Sequence, residues 1–211
     1  MAALQVLNSS AVVLLTACWE AFVEDLALAS FDWLLAECTD ARIFPKKVRA
    51  RASAALRDDK NELAVWALAG DGWRSVLAQH RDELVNSTVG TFHTPKAQQV
   101  DSLYESLIGL PRLSAEWRWA SMPPDKARRK LDRLVTIRGN IAHRVRHVKL
   151  VRRPEVDDLV AFVNRLAICS HNGVVKHLVG VVEKSPWPLS EYTPHDRRMA
   201  WERRENPRGL P

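Results

Sequence analysis

The chain has 211 residues, 46% hydrophobic and 27% charged, with a net charge of +6. That is enough for one well-buried domain and too little for two, and eight glycines leave little material for the tight turns of a β-protein. Three scattered cysteines, Cys18, Cys38 and Cys169, form no disulfide framework and no zinc-ligand spacing, which points to a reducing, cytoplasmic setting.

Leu4 to Ala36 contains no Gly or Pro and is rich in Ala, Leu and Val, so it reads as one long helix. Its first half is apolar on nearly every side, as expected of a helix surrounded by partners in a bundle or at a dimer interface. Leu15-Thr16-Ala17-Cys18 resembles a lipoprotein cleavage site. No Lys or Arg precedes it, however, and the apolar pattern runs on through Trp19, Phe22 and Leu26, so a secretory signal is not expected. Glu20, Glu24 and Asp25 interrupt the run before the ~20 apolar residues of a membrane span, so no membrane is expected either. Glu20 is the only charged side chain before Glu24.

Pro45 breaks the chain. Lys46 to Lys60 is helical in pattern but polar, with a basic cluster at Lys46, Lys47, Arg49 and Arg51 that fits a solvated face. Two short helices follow, Glu62 to Ala69 and Gly72 to Asn86, separated by Gly70-Asp71-Gly72. Thr94 and Pro95 have the pattern of an N-cap and first position for the next helix, which stops at Gly109 and Pro111. Trp117 and Trp119 lie in a connector that ends at Pro123-Pro124-Asp125, a helix-start signal. Pro154 interrupts the chain again, and Glu155 to Val182 gives a last apolar-periodic helix. The Pro- and Arg-rich stretch 185–211 reads as a tail packed on or near a 1–184 helical domain. Most of the eight Trp residues, with aliphatic neighbours at helical spacing, are expected in the core. The fold class is all-α.

The helix that starts at Pro124 carries the most unusual chemistry. From Lys126 to Arg153 there are eleven Lys or Arg and one acid, Asp132, a local charge of +10 that exceeds the charge of the whole chain. On a helical wheel Leu131, Leu134, Val135, Ile141, Ala142 and Val145 share one face, and Arg138 falls in its middle. An Arg there must be paired or reach an interface. His143 lies five residues on, about 140° around an ideal helix, so the two cannot share a face on a straight helix. His143 and His147 have a metal-compatible spacing, but no third ligand is evident, and neither metal nor cofactor is expected.

Arg138-Gly-Asn-Ile-Ala-His143 resembles the Rx4H signature of HEPN domains, and the order of the other pieces is similar to the RiboL-PSP-HEPN group. Those pieces are the apolar first helix with Trp19-Glu20-Ala21-Phe22, the Thr94-Pro95-Lys96 loop and the Trp-bearing connector. The resemblance implies an antiparallel helical bundle with additional short helices and a C-terminal tail. It also implies metal-independent endoribonucleolytic cleavage giving a 2′,3′-cyclic phosphate and a 5′-hydroxyl, in a toxin or antiviral effector. Carried over, His143 would act on the 2′-hydroxyl or the leaving oxygen, and Arg138 would stabilise charge on the transition state. Imidazole exchanges protons near neutral pH, and a guanidinium fits phosphate oxygens with a fork.

Asn140 would serve the site, or else be a surface Asn. Glu20 would orient the Arg138 guanidinium, or else form a core-edge salt bridge. Arg144, Arg146, His147 and Lys149 would hold RNA, with a solvated basic face as the bland reading. The resemblance further implies a homodimer with two motifs facing one cleft, and an antitoxin or defence-system partner. Gly139 stands where many HEPN enzymes have a polar residue, which keeps open a non-catalytic RNA-binding or protein-interaction module. A helical scaffold whose basic segment docks an acidic protein is a third reading.

Overall fold

A computed structural model describes residues 2–79, 81, 96–142 and 151–192. Among these the chain forms six α-helices: α1 (Ala2–Glu37), α2 (Lys46–Arg57), α3 (Gly72–Gln79), α4 (Ala97–Ile108), α5 (Pro124–Ala142) and α6 (Arg153–Val182). Short 3-10 turns at Ala41–Ile43, Ala64–Leu68 and Leu113–Glu116 link them. No strand occurs among the described residues, only an isolated bridge between Trp119 and Met122. The chain is all-α.

α1 is the central element and packs against α4, α5 and α6. Its buried row is Val12, Thr16, Trp19, Val23, Ala27, Phe31 and Leu34, spaced at three and four residues as a helix face requires. By length and mean hydropathy α1 is also apolar enough to cross a membrane, a property that core helices of bundles share. The expectation that its acids rule this out on composition therefore does not hold. Its five carboxylates, Glu20, Glu24, Asp25, Asp32 and Glu37, all lie from Glu20 onward and leave the first half of the helix uncharged.

Hydrogen bonds at the two ends of α1 fix the direction of its neighbours. Asn8 Nδ2 donates to Val151 O at 3.0 Å beside the start of α6. Lys184 Nζ reaches Glu37 Oε2 at 2.7 Å beyond its end, so α1 and α6 run the same way. α5 runs against both: Trp119, just before it, lies 6.0 Å from Phe162 by ring centroids, and Lys130 farther along meets the earlier Asp158 at 2.7 Å. The antiparallel arrangement implied by the sequence thus holds between α5 and each of its long neighbours, whereas α1 and α6 are parallel.

Several predicted boundaries move, each for a local reason. Pro154 opens α6 inside its first turn instead of interrupting a helix, since proline lacks an N–H that the first turn does not need. Glu155 Oε2 accepts from Arg152 N at 2.9 Å and secures the same end. The 62–69 stretch is a 3-10 turn and not an α-helix, and α2 ends at Arg57. α4 starts at Ala97 with Lys96 at the cap position, and the acceptor for its first turn comes from elsewhere: Asp132 Oδ1 on α5 takes Ala97 N at 3.0 Å. Gly109 ends α4 in the left-handed region at φ 73°, where a Cβ would be strained.

The tryptophans divide. Trp19, Trp73 and Trp117 are buried, with Trp19 and Trp117 edge to face at 6.0 Å, and Trp117 Nε1 donates to buried Ser170 Oγ at 2.8 Å. Trp66 is 71% exposed, contrary to a core role. Residues 185–192 lie along α6, where Asn172 exchanges two hydrogen bonds with Ser190 and Arg165 stacks on Tyr192 at 3.7 Å.

Candidate active site

α5 presents Ala127, Leu131, Leu134 and Val135 to the core at helical spacing, and Arg138 continues that row one turn later. Arg138 is half-buried there, between the buried row and partly buried Ile141. A guanidinium at this boundary can keep water on part of its surface, which lowers the cost of placing it there. Asn140, two residues on, is exposed.

Glu20 lies on α1 between buried Trp19 and exposed Ala21, and is itself half-buried. The expected pairing is not formed: among the described residues no hydrogen bond or ion pair joins Glu20, Arg138 or Asn140 side chains to one another. The physical reason is their partial exposure. Ions that keep solvent need no partner, and an exposed pair is worth only about 0–1 kcal/mol. Arg138 therefore stands as a half-buried cation with no side-chain hydrogen bond or ion pair among the described residues.

His143, Arg144, Arg146, His147 and Lys149 lie outside the described residues, as do Thr94 and Pro95. The flanks of the 143–150 segment are described. Before it, Ile141 lines an open groove of about 770 Å³ with Gln5, Val6, Ser9, Ser10 and Val13 among others on α1. After it, the Val151 carbonyl is held by Asn8. Both flanks thus meet the N-terminal third of α1, and Arg138 precedes Ile141 on the same helix. The first half of α1 also has large apolar side chains open to solvent: Leu4, Val6, Leu7 and Leu14 are 63–67% exposed. Large apolar side chains in a row on an open face are characteristic of an interaction surface.

The basic helix is not uniformly free. Lys130 is committed to Asp158 and lies over the Phe162 ring at 4.7 Å, and Arg128 is tied to Ser114 Oγ at 2.7 Å and to Asp125. Arg129 and Arg133 are exposed and carry the positive field of α5 to solvent. Asn8 and the capping role of Asp132 escaped the sequence reading. The signals were a short polar run, Asn8-Ser9-Ser10, in an apolar helix and a lone acid in a basic one. Among the described residues no group of three His, Cys, Asp or Glu side chains could hold a metal ion.

In a comparison of sequence families the RiboL-PSP-HEPN profile matches residues 2–175. The chain belongs to the RiboL-PSP-HEPN family. The match takes in α1 through most of α6, and so includes Glu20, Arg138, Asn140 and the 143–150 segment. No curated protein and no solved structure matches the chain. For a RiboL-PSP-HEPN protein the family points to nuclease or other RNA-related work.

Proposed function

We propose that the protein is a metal-independent endoribonuclease, active in the cytoplasm as a homodimer, with Arg138 and His143 as its catalytic pair. In the reaction the 2′-hydroxyl of one ribose attacks the adjacent phosphorus, and the bond to the 5′-oxygen of the next nucleotide breaks. The products are a 2′,3′-cyclic phosphate and a 5′-hydroxyl. The imidazole of His143 moves the proton, taking it from the 2′-hydroxyl or giving it to the leaving oxygen. Arg138 meets the charge that builds on the non-bridging oxygens, where a fixed fork of donors is most effective. Asn140 contributes a polar contact, Glu20 a negative charge, and Arg144, Arg146, His147 and Lys149 phosphate contacts.

The observation that carries this reading is the half-buried Arg138, without a side-chain partner among the described residues, one turn before Ile141 and the exposed apolar start of α1. A second copy laid on that surface would bury the exposed leucines and bring two Rx4H segments toward one cleft. A nuclease of this kind needs restraint in its own cell, which suits a toxin or defence effector with an antitoxin or defence-system partner.

The decisive experiment incubates purified protein with mixed RNAs in EDTA beside Arg138→Ala and His143→Ala. Cleavage in EDTA that falls by at least about 100-fold in each variant is expected. Cleavage that depends on a divalent ion, or survives both substitutions, would reject the mechanism. A second reading is favoured by Gly139 after the Arg: a non-catalytic module that uses the same surface to bind RNA or a partner. Salt-sensitive RNA binding without turnover selects it.

A further inference from the structure

At the far end of α1 from the Rx4H segment, α2 and α3 enclose a second groove of about 490 Å³. Its floor is apolar, with Ala52, Leu68, Trp73, Val76 and Leu77, and Lys46 and Arg49 stand at its edge. The 3-10 turn beside it leaves Leu63, Val65 and Trp66 exposed at 66%, 45% and 71%. This turn spends its apolar residues on solvent while the neighbouring Trp73 is buried against Phe44, at 6.1 Å between rings. So many large apolar side chains next to an apolar hollow amount to a surface awaiting a partner.

Charge defines the partner. α2 carries Lys46, Lys47, Arg49, Arg51 and Arg57 and no acid, its N-terminus has no side-chain cap, and no carboxylate lies in its first turn. The helix dipole therefore adds to the positive field at the groove's edge. Asp40, whose carboxyl feels Arg49, is engaged by Arg42, which holds it below the usual carboxylate range through hydrogen bonds. Arg49 is steadied by its Nε–H to Phe44 O at 3.0 Å.

We propose that this groove, with the Leu63–Leu68 turn, docks an acidic amphipathic helical segment of a partner protein. Apolar side chains of that segment fill the hollow and pack on Trp66, and its carboxylates meet Lys46, Arg49 and the open end of α2. The observations favour this occupant over the others. A second copy in a symmetric contact would set α2 cations against α2 cations. The chain's own end beyond Tyr192 has five Arg against three acids, and so carries the wrong sign. RNA would use the cations and Trp66 but gains little from the aliphatic floor. The proposal does not rest on the ribonuclease reading, because no residue of the Rx4H segment takes part.

The test displays a library of helical 16-residue peptides against the full chain carrying His143→Ala, with Lys46→Glu/Arg49→Glu and Trp66→Ser versions as counter-selections. The selected peptides are expected to carry acids on one face and apolar residues at i, i+3 and i+4 on another. Fluorescence anisotropy of the best of them should weaken at least about tenfold in each counter-selection variant, and not in Arg138→Ala. Trp66 is exposed, so Trp66→Ser retains the fold, which a circular dichroism melt verifies. No consensus, a basic consensus, or binding that ignores these substitutions would overturn the proposal. So would a labelled 12-nucleotide RNA whose binding is lost in Trp66→Ser and unaffected by the peptide. Failure here leaves RNA cleavage by the Arg138 protein untouched, so the two readings fail separately.

Discussion

Asn8 Nδ2 donates to the Val151 carbonyl at 3.0 Å, joining positions 143 residues apart and tying the exit of the 143–150 segment to α1. The contact fixes the residue that follows the segment, two positions before α6 begins. Asn8→Ala is expected to cost about 0.5–1.5 kcal/mol in urea unfolding, the worth of one hydrogen bond. RNA cleavage should fall more than that loss implies, because the segment carrying His143 is less well positioned. Equal cleavage in the two proteins at matched folded fraction would show that Asn8 only stabilises.

Gly139 and Gly173 make a contrast in one experiment. A Cβ at Gly139 meets nothing within 4 Å, whereas one at Gly173 would come within 2.9 Å of Glu116 Cγ and 3.0 Å of Leu113 Cδ1. Gly139→Ala should therefore stabilise by about 0.5–1 kcal/mol, since glycine weakens a helix interior. Gly173→Ala should destabilise by about 1–3 kcal/mol through overpacking. Denaturant midpoints of the two variants measured together check both signs.

Leu14, 65% exposed on α1, lies on the groove that Ile141 also lines. Leu14→Glu should leave the melting temperature of a monomer nearly unchanged. It should turn a dimer into a monomer in sedimentation velocity, with cleavage lost at the same time. A dimer that survives the substitution places the interface elsewhere.

Trp117 Nε1 donates to Ser170 Oγ at 2.8 Å where both side chains are fully buried. Ser170→Ala strands the indole N–H away from water, at a cost of about 1–3 kcal/mol. Ser170→Thr, which keeps the hydroxyl, separates the lost hydrogen bond from a packing effect. An unchanged midpoint for Ser170→Ala would mean that another acceptor takes the indole.

The three thiols should react in order of exposure. Cys18 is exposed, while burial pushes the thiols of Cys169 and Cys38 up from their ordinary range. At pH 8 a disulfide reagent should titrate Cys18 first and Cys38 only as the fold opens. A raised folded pKa favours the protonated thiol, so this contribution is whole below the unfolded thiol's value of about 8.5 and is lost as pH rises through the folded one. Cys38→Ala should accordingly flatten the fall in melting temperature above about pH 9. Rapid labelling of Cys38 in the native protein would contradict its burial.

How much was legible in the sequence follows from the range of each interaction. The helices, the Pro124 start of α5, the Gly109 stop and the row Leu131, Leu134, Val135, Arg138 all come from periodicity and from residues that act on their own backbone, over a few positions. The Rx4H stretch was legible for the same reason. Tertiary structure alone decided which polar groups found partners. Asp132 caps a helix 35 residues away, Lys130 is taken by Asp158 while Arg138 and Glu20 remain apart, and Trp66 faces water while Trp73 is buried. A polar side chain's partner depends on which helices pack side by side, and that is settled by the summed burial of all their faces, not by the sequence around any one residue.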